Sequence, residues 1–184
     1  MKKSTHKLTF IATLSFALLS FTSIQGLWII PSTSKANFTI DGMLGIDCNG
    51  TLDFTSSEIA FDPAKPETGN MKVVLSVATI NTNSAKRDKH LKTDDFFDEA
   101  QYPTISFTST TIQKSVTGYT VNGNLKIKNV TKVVAIPFTF SPNGTSGVFK
   151  ADFRINRMDF KVGEKEKMIG KEVMISLNIP VNAK

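Results

Sequence analysis

The residues with the widest chemical repertoire lie together in one stretch, RDKHLKTDDFFDEAQYPTISF, from Arg87 to Phe107. It sets His90 among carboxylates that include Asp94, Asp95, Asp98 and Glu99, with Arg87, Lys89 and Lys92 beside them. A histidine among carboxylates could act as a general base or as a metal ligand. Counting restricts both readings. Beyond the N-terminal 26 residues, His90 is the only histidine and Cys48 the only cysteine, so an ordinary Cys/His zinc site cannot be assembled. A Cys48–His90 dyad would lack a third group to orient the base. The acids lack the alternating oxygen-ligand spacing and the glycine turn of a calcium loop. They read as a solvated acidic face offset by Lys86, Arg87, Lys89 and Lys92, with the Phe96–Phe97 pair among them.

The elements around this stretch are of two kinds. Residues 1–26 combine a basic start (Lys2, Lys3, Lys7) with an uncharged apolar run from Leu8 to Phe21, too short to cross a bilayer comfortably. This is the pattern of a secretory signal peptide, with cleavage after Thr22 or Gly26, and it leaves residues 27–184 as one domain. No cysteine sits at the junction to carry a lipid anchor, and no transmembrane segment is expected in the mature chain. A periplasmic or secreted location follows as the expectation. The net charge of +6 in the full chain falls to +3 once the three signal lysines are removed. Without a clustered basic stripe interleaved with aromatics, nucleic acid is not an expected partner. A single cysteine leaves no internal disulfide, so the exported chain must be held by its core, with Cys48 read as a small apolar residue. The four Asn-x-Ser/Thr sequons at Asn37, Asn49, Asn129 and Asn143 are what Thr-rich strands produce by chance.

Helical periodicity is nearly absent from the rest, and period-two alternation dominates. Ala36, Phe38 and Ile40 share one face, with Lys35, Asn37 and Thr39 on the other. The same alternation places Ile105 with Phe107; Tyr119 and Val121 with Leu125 and Ile127; Val134 and Ile136 with Phe138 and Phe140; Phe149 and Ala151 with Phe153 and Ile155; and Val173 and Ile175 with Leu177 and Ile179. One buried and one wet face demand this pattern. MKVVLSVATI, residues 71–80, is apolar on both faces and cannot be given a direction. The runs 62–70, 115–118 and 141–147 have loop compositions. Asn122-Gly123 resembles a hairpin turn, but the phase carries through it, so Gly123 is read as a strand glycine at a bulge or bend. Only residues 84–101 resist a strand reading. Ser84 offers an N-cap there, and one or two short helical turns are expected.

At least seven antiparallel strands fit a sandwich or a barrel, and most of the 14 phenylalanines fall at inward positions. Such an interior could be a packed core or a lumen for a long apolar ligand.

The opening stretch separates these alternatives. Arg87, Asp88, His90 and Leu91, then Phe96, Phe97 and Asp98, then Tyr102, Pro103, Ile105 and Phe107 resemble the most recognisable segment of the YceI-like family at its own spacing. WIIPSTSKANFTI resembles that family's first strand, IAFDP its Asp-Pro turn, YTVNGNLKIKNVTK its Gly-x-Leu-x-Ile hairpin, and INRMDFKVG its Arg-x-Asp-Phe segment. The chain departs from the pattern at Thr33, Asn129, Val133 and Lys161, and GMLGIDCNGTLDFTSSE matches it least. Asn129 takes the place of a tight-turn glycine, a mild change because Asn tolerates left-handed backbone.

The resemblance implies an all-β, lipocalin-like antiparallel barrel of about eight strands, with the short helical segment at its mouth. It implies a long-chain isoprenoid or fatty amphiphile as partner, for example an isoprenoid quinone or polyprenyl lipid held as ligand, with no cofactor and no catalysis. A structural or interaction barrel with a filled core is the alternative, and a homodimer is compatible with either. The candidate ligand-contacting residues are Phe38, Leu91, Phe96, Phe97, Ile105, Phe107, Leu125, Ile127, Phe138, Phe140, Phe153, Ile155, Ile175 and Leu177.

Overall fold

The computed structural model of the protein describes residues 26–42 and 45–184; the signal peptide expected over residues 1–26 lies, but for Gly26, outside them. Among the described residues nine strands form a single sheet: β1 (Leu27–Ile29), β2 (Lys35–Ile40), β3 (Cys48–Ala60), β4 (Asn70–Asn81), β5 (Thr104–Ser115), β6 (Gly118–Ile127), β7 (Val130–Asn143), β8 (Ser146–Asn156) and β9 (Glu172–Ala183). From β2 to β9 each strand pairs antiparallel with the next, and β9 returns to pair with β2. The sheet is therefore a closed up-and-down barrel.

The strands fill eight positions, because β1 and β2 share one. β1 pairs with the far ends of β3 and β9, through Trp28 opposite Ile59 and Ala183, while β2 pairs with their near ends. A turn closed by the Ser34 amide on the Pro31 carbonyl separates them. Closure leaves no unpaired edge, which suits a chain without disulfides. Eight tilted strands also enclose an interior just wide enough for side chains or one small ligand.

The alternating strands lie as their sequences indicate. The inward Ile136 and Phe138 of β7 and Phe149 and Ala151 of β8 are buried, while their neighbours face water. β6 runs unbroken through Gly123, and the register slips opposite it, between Ser109 and Thr111 of β5. A Cβ at Gly123 would come within 2.5 Å of the Phe107 ring, so the missing side chain lets that ring lie flat on the strand.

The ambiguous run in β4 is irregular. Asp53 of β3 faces Ser76 and Thr51 faces Asn81, so β4 carries extra residues there. The Thr79 hydroxyl repairs the gap by accepting from the Asp53 amide at 2.9 Å and donating to the Ser76 carbonyl at 2.8 Å. Met71, Val73 and Leu75 face inward, and past the irregularity Ile80 takes over that face.

Residues 84–101 form one short helix, α1 (Ala85–Leu91), followed by turns. Ser84 is its N-cap, its hydroxyl accepting from the Arg87 amide. In the β6–β7 turn the left-handed residue is Lys128, with φ of 53°, rather than Asn129.

One end of the barrel is sealed by aromatic rings. Phe61, 1% exposed, meets Tyr119, Phe138, Phe140 and Phe149 at centroid distances of 5.0–5.6 Å, all close to edge-to-face. Trp28 packs on Phe140 at 4.9 Å and donates its indole N–H to the Phe61 carbonyl at 3.0 Å. Ring quadrupoles favour such edge-to-face contacts, and the indole N–H is satisfied without water.

Candidate functional site

Above the aromatic seal the barrel is not filled. A cavity of about 630 Å3 runs from Phe138 and Phe149 at its floor to Ile46, Leu91, Phe96, Phe97 and Ile169 at the other end. That end is the mouth, where residues 41–42, 45–47, 82–103 and 157–171 lie between the strands.

Most of the predicted contact residues converge on this space. Phe38 on β2, Ile105 and Phe107 on β5, Leu125 and Ile127 on β6, and Phe138 on β7 line it, as do Phe153 and Ile155 on β8, Ile175 and Leu177 on β9, and Leu91, Phe96 and Phe97 at the mouth. Phe140 does not. It lies behind Phe149, ring centroids 4.4 Å apart, as part of the seal. Its position in the alternation is inward, but at that depth the rings leave no space.

Several wall residues escape the sequence reading. Leu52 and Phe54 of β3 face the cavity, and Ile59 rejoins it only after a register shift between Phe54 and Ser56. Met71, Val73, Leu75 and Ile80 do the same on β4. Bulges break the period-two signal in both strands. Ile46, Val162 and Ile169 reach the cavity from connecting segments, where no periodicity exists to mark them.

The mouth is built by polar residues that are occupied with backbone. Arg87 donates from Nε to the Thr82 hydroxyl at 2.8 Å and from Nη2 to the Thr82 carbonyl at 2.6 Å. The Asp88 carboxylate accepts from the Thr82 amide at 2.9 Å and from its hydroxyl. Arg87 and Asp88 thus clasp Thr82, which is 2% exposed, and fix the exit from β4 into α1.

Arg157 plays the same part across the mouth. Its guanidinium donates to the carbonyls of Val162 and Gly170 at 2.7 Å, to those of Gly163 and Glu166, and to that of Ile169 at 3.3 Å. Burial pushes its pKa below the usual arginine value, with the Glu166 carboxylate opposing. A planar five-donor fork is the side chain suited to gathering so many carbonyls.

Asp95 joins the two sides. Its carboxylate pairs with Lys165 at 3.0 Å and lies 3.8 Å from the His90 imidazole, and the hydrogen bond and charge of Lys165 hold its pKa below the ordinary carboxylate value. His90 in turn sets its ring edge-on to Phe96 at 5.0 Å. These groups shape a rim around apolar carbon. Cys48, a free thiol, lines the cavity half-buried, and no group of three or more His, Cys, Asp or Glu able to hold a metal occurs among the described residues. No helix among the described residues is long and apolar enough to cross a membrane.

A closed barrel with a deep apolar lumen, sealed at one end and rimmed at the other, defines a lipocalin-like architecture able to hold a chain-shaped apolar molecule. The chain belongs to the YceI-like family, whose domain model matches residues 28–181. A UPF0312 protein of Yersinia enterocolitica is 33% identical over 136 residues, 71% of each chain, and one from Pseudomonas syringae pv. tomato is 38% identical over 122 residues, 62% of this chain and 63% of that one. Among solved structures, BcnA of Burkholderia cenocepacia superposes with a TM-score of 0.78 at 26% identity, covering 83% of this chain and 99% of BcnA. A YceI protein of Campylobacter jejuni gives 0.68 at 26% identity, over 74% and 85% of the two chains. A polyisoprenoid binding domain from Saccharophagus degradans shares the fold, with a TM-score of 0.63 at 14% identity over 86% of this chain and 99% of that one.

Proposed function

We propose that the protein is an exported, non-catalytic carrier that holds a polyisoprenoid or similar long-chain amphiphile in its lumen. The observation that carries this reading is the apolar cavity of about 630 Å3 between the aromatic floor and the mouth. A filled structural barrel has no use for such a space, and an unfilled one costs stability.

The energetics suit a carrier. A chain that removes about 400 Å2 of apolar surface from water gains roughly 10 kcal/mol before the costs of ordering, with no charged contact required. The polar rim would then keep a head group hydrated while the chain is inside. The signal-like N-terminus and the lipid ligand named for the Saccharophagus relative support the reading independently.

The test is purification of the exported protein without detergent, followed by native mass spectrometry and organic extraction. A stoichiometric isoprenoid or other long-chain amphiphile in the extract is the expected result. A protein that is recovered without ligand and stays so after incubation with isoprenoid quinones and polyprenyl phosphates would favour a structural or interaction role instead.

A further inference from the structure

The floor of the cavity has a definite composition and a definite depth. Phe138 and Phe149 face the lumen, and behind them Phe61, Tyr119 and Phe140 leave no passage. The Tyr119 ring stacks on Phe138 at 5.3 Å, and its hydroxyl donates to the Pro63 carbonyl at 3.3 Å, so the floor is anchored to the loop below it. The far side is set by Ala36 on β2, a small buried residue that lines the cavity.

We infer that this aromatic floor is a chain-length ruler, with Phe138 and Ala36 as the residues that set it. The inference rests on the carrier reading and names the length of chain the carrier selects. At about 30 Å3 for each small group in a liquid, a cavity of about 630 Å3 holds roughly 20 carbons, or four isoprene units. A chain that enters tail first gains affinity with every methylene it buries, by about fourfold each. Once its tail meets Phe138, further carbons must remain at the rim in water and add nothing. Affinity should therefore climb steeply to about 20 carbons and then level off.

The two residues act in opposite directions. Removing the Phe138 ring deepens the lumen by about one isoprene unit, and a larger residue at position 36 raises the floor by a similar amount. A packed barrel with no length preference would respond to neither.

The experiment is displacement of N-phenyl-1-naphthylamine from the mature protein by linear isoprenoid alcohols of 10, 15, 20, 25 and 30 carbons. For the unaltered protein we expect affinity to rise up to the 20-carbon alcohol and change less than threefold beyond it. Phe138→Ala should carry the rise on to 25 carbons, and Ala36→Leu should stop it at 15. Phe138→Leu makes a smaller shift in the same direction and serves if Phe138→Ala does not fold. An affinity that keeps climbing to 30 carbons, or a plateau that no variant moves, overturns the ruler while leaving the carrier intact. A probe that binds but is displaced by none of the alcohols overturns the carrier reading itself, and the ruler with it.

Discussion

The amide of Gly163 donates to the carbonyl of Asp95 at 3.1 Å, joining the β8–β9 connection to the segment after α1 across the mouth of the barrel. Gly163 has φ of 62°, and a Cβ there would come within 2.6 Å of the Phe96 ring. The hydrogen bond and the ring contact both depend on the shape that Arg157 imposes on residues 162–170. Rim and lumen are thus one construction, in which a buried cation folds a loop and the loop positions a phenylalanine over the cavity.

Arg157→Lys keeps the charge but loses the fork. Lysine offers three donors on a single nitrogen and cannot reach carbonyls spread from Val162 to Gly170. We expect a loss of about 2 kcal/mol in unfolding free energy, read as a lower urea midpoint. Hydrogen exchange at the Gly163 and Gly170 amides should accelerate well before that of β6 and β7, and a bound chain should leave faster. Unchanged exchange at those amides would show that the loop holds itself.

The Asp95–Lys165 pair predicts an acid-sensitive rim. Lys165 holds the Asp95 pKa below its ordinary value of 3.8, and Asp95 holds that of Lys165 above 10.5, in each case mainly through their hydrogen bond. A depressed carboxylate contributes above its unfolded value and loses that contribution as pH falls through the folded one. The contact should therefore persist from neutral pH to about 4 and fail only below it. An NMR titration of the Asp95 carboxyl carbon should have its midpoint below 3.8, and Lys165→Met should move the midpoint upward. A midpoint that ignores the substitution would remove Lys165 as the cause.

Lys161 occupies a left-handed position, φ of 57°, at the end of the single helical turn Arg157–Phe160. Left-handed backbone costs an ordinary residue about 1–2 kcal/mol, part of which glycine returns in unfolded-chain entropy. Lys161→Gly should raise stability by about 0.5–1 kcal/mol, a gain of roughly 2 °C in Tm. Gly163→Ala, at a position equally left-handed and pressed against Phe96, should lower it. Differential scanning calorimetry on the two variants gives the signs directly, and two shifts in the same direction would contradict the assignment.

Much of this was legible in the chain because five strands alternate cleanly. The phases of β5 to β9 place Phe107, Ile127, Phe138, Phe153 and Leu177 on the inner face as the period-two pattern indicates. The resemblance in Arg87–Phe107 located the mouth, where Leu91, Phe96 and Phe97 stand. Two parts were not legible, for physical reasons. β3 and β4 change register within their length, so an inward residue before a bulge and one after it no longer share parity: Phe54 and Ile59, one even-numbered and one odd, both face the cavity because the chain slips between them. Phe140 shows the other limit, since alternation gives direction but not depth. It points inward like Phe138 and is yet part of the plug. The role of Arg157 was hidden as well: the Arg-x-Asp-Phe resemblance marks the residue, but nothing in the sequence tells that its side chain is buried and serves backbone carbonyls.

The occupancy of the lumen can be read from inside the protein. Trp28 is the only tryptophan in the chain and sits behind the floor, one aromatic ring from Phe149. Bromine quenches indole fluorescence only at short range, so a fatty amphiphile brominated at its tail should quench Trp28 when bound, and the same amphiphile brominated beside its head group should not. That difference is the expected result for a chain lying tail-down in the barrel. Equal affinity for the two probes with no quenching by either, or quenching by the head-labelled probe alone, would contradict a cargo held in the lumen.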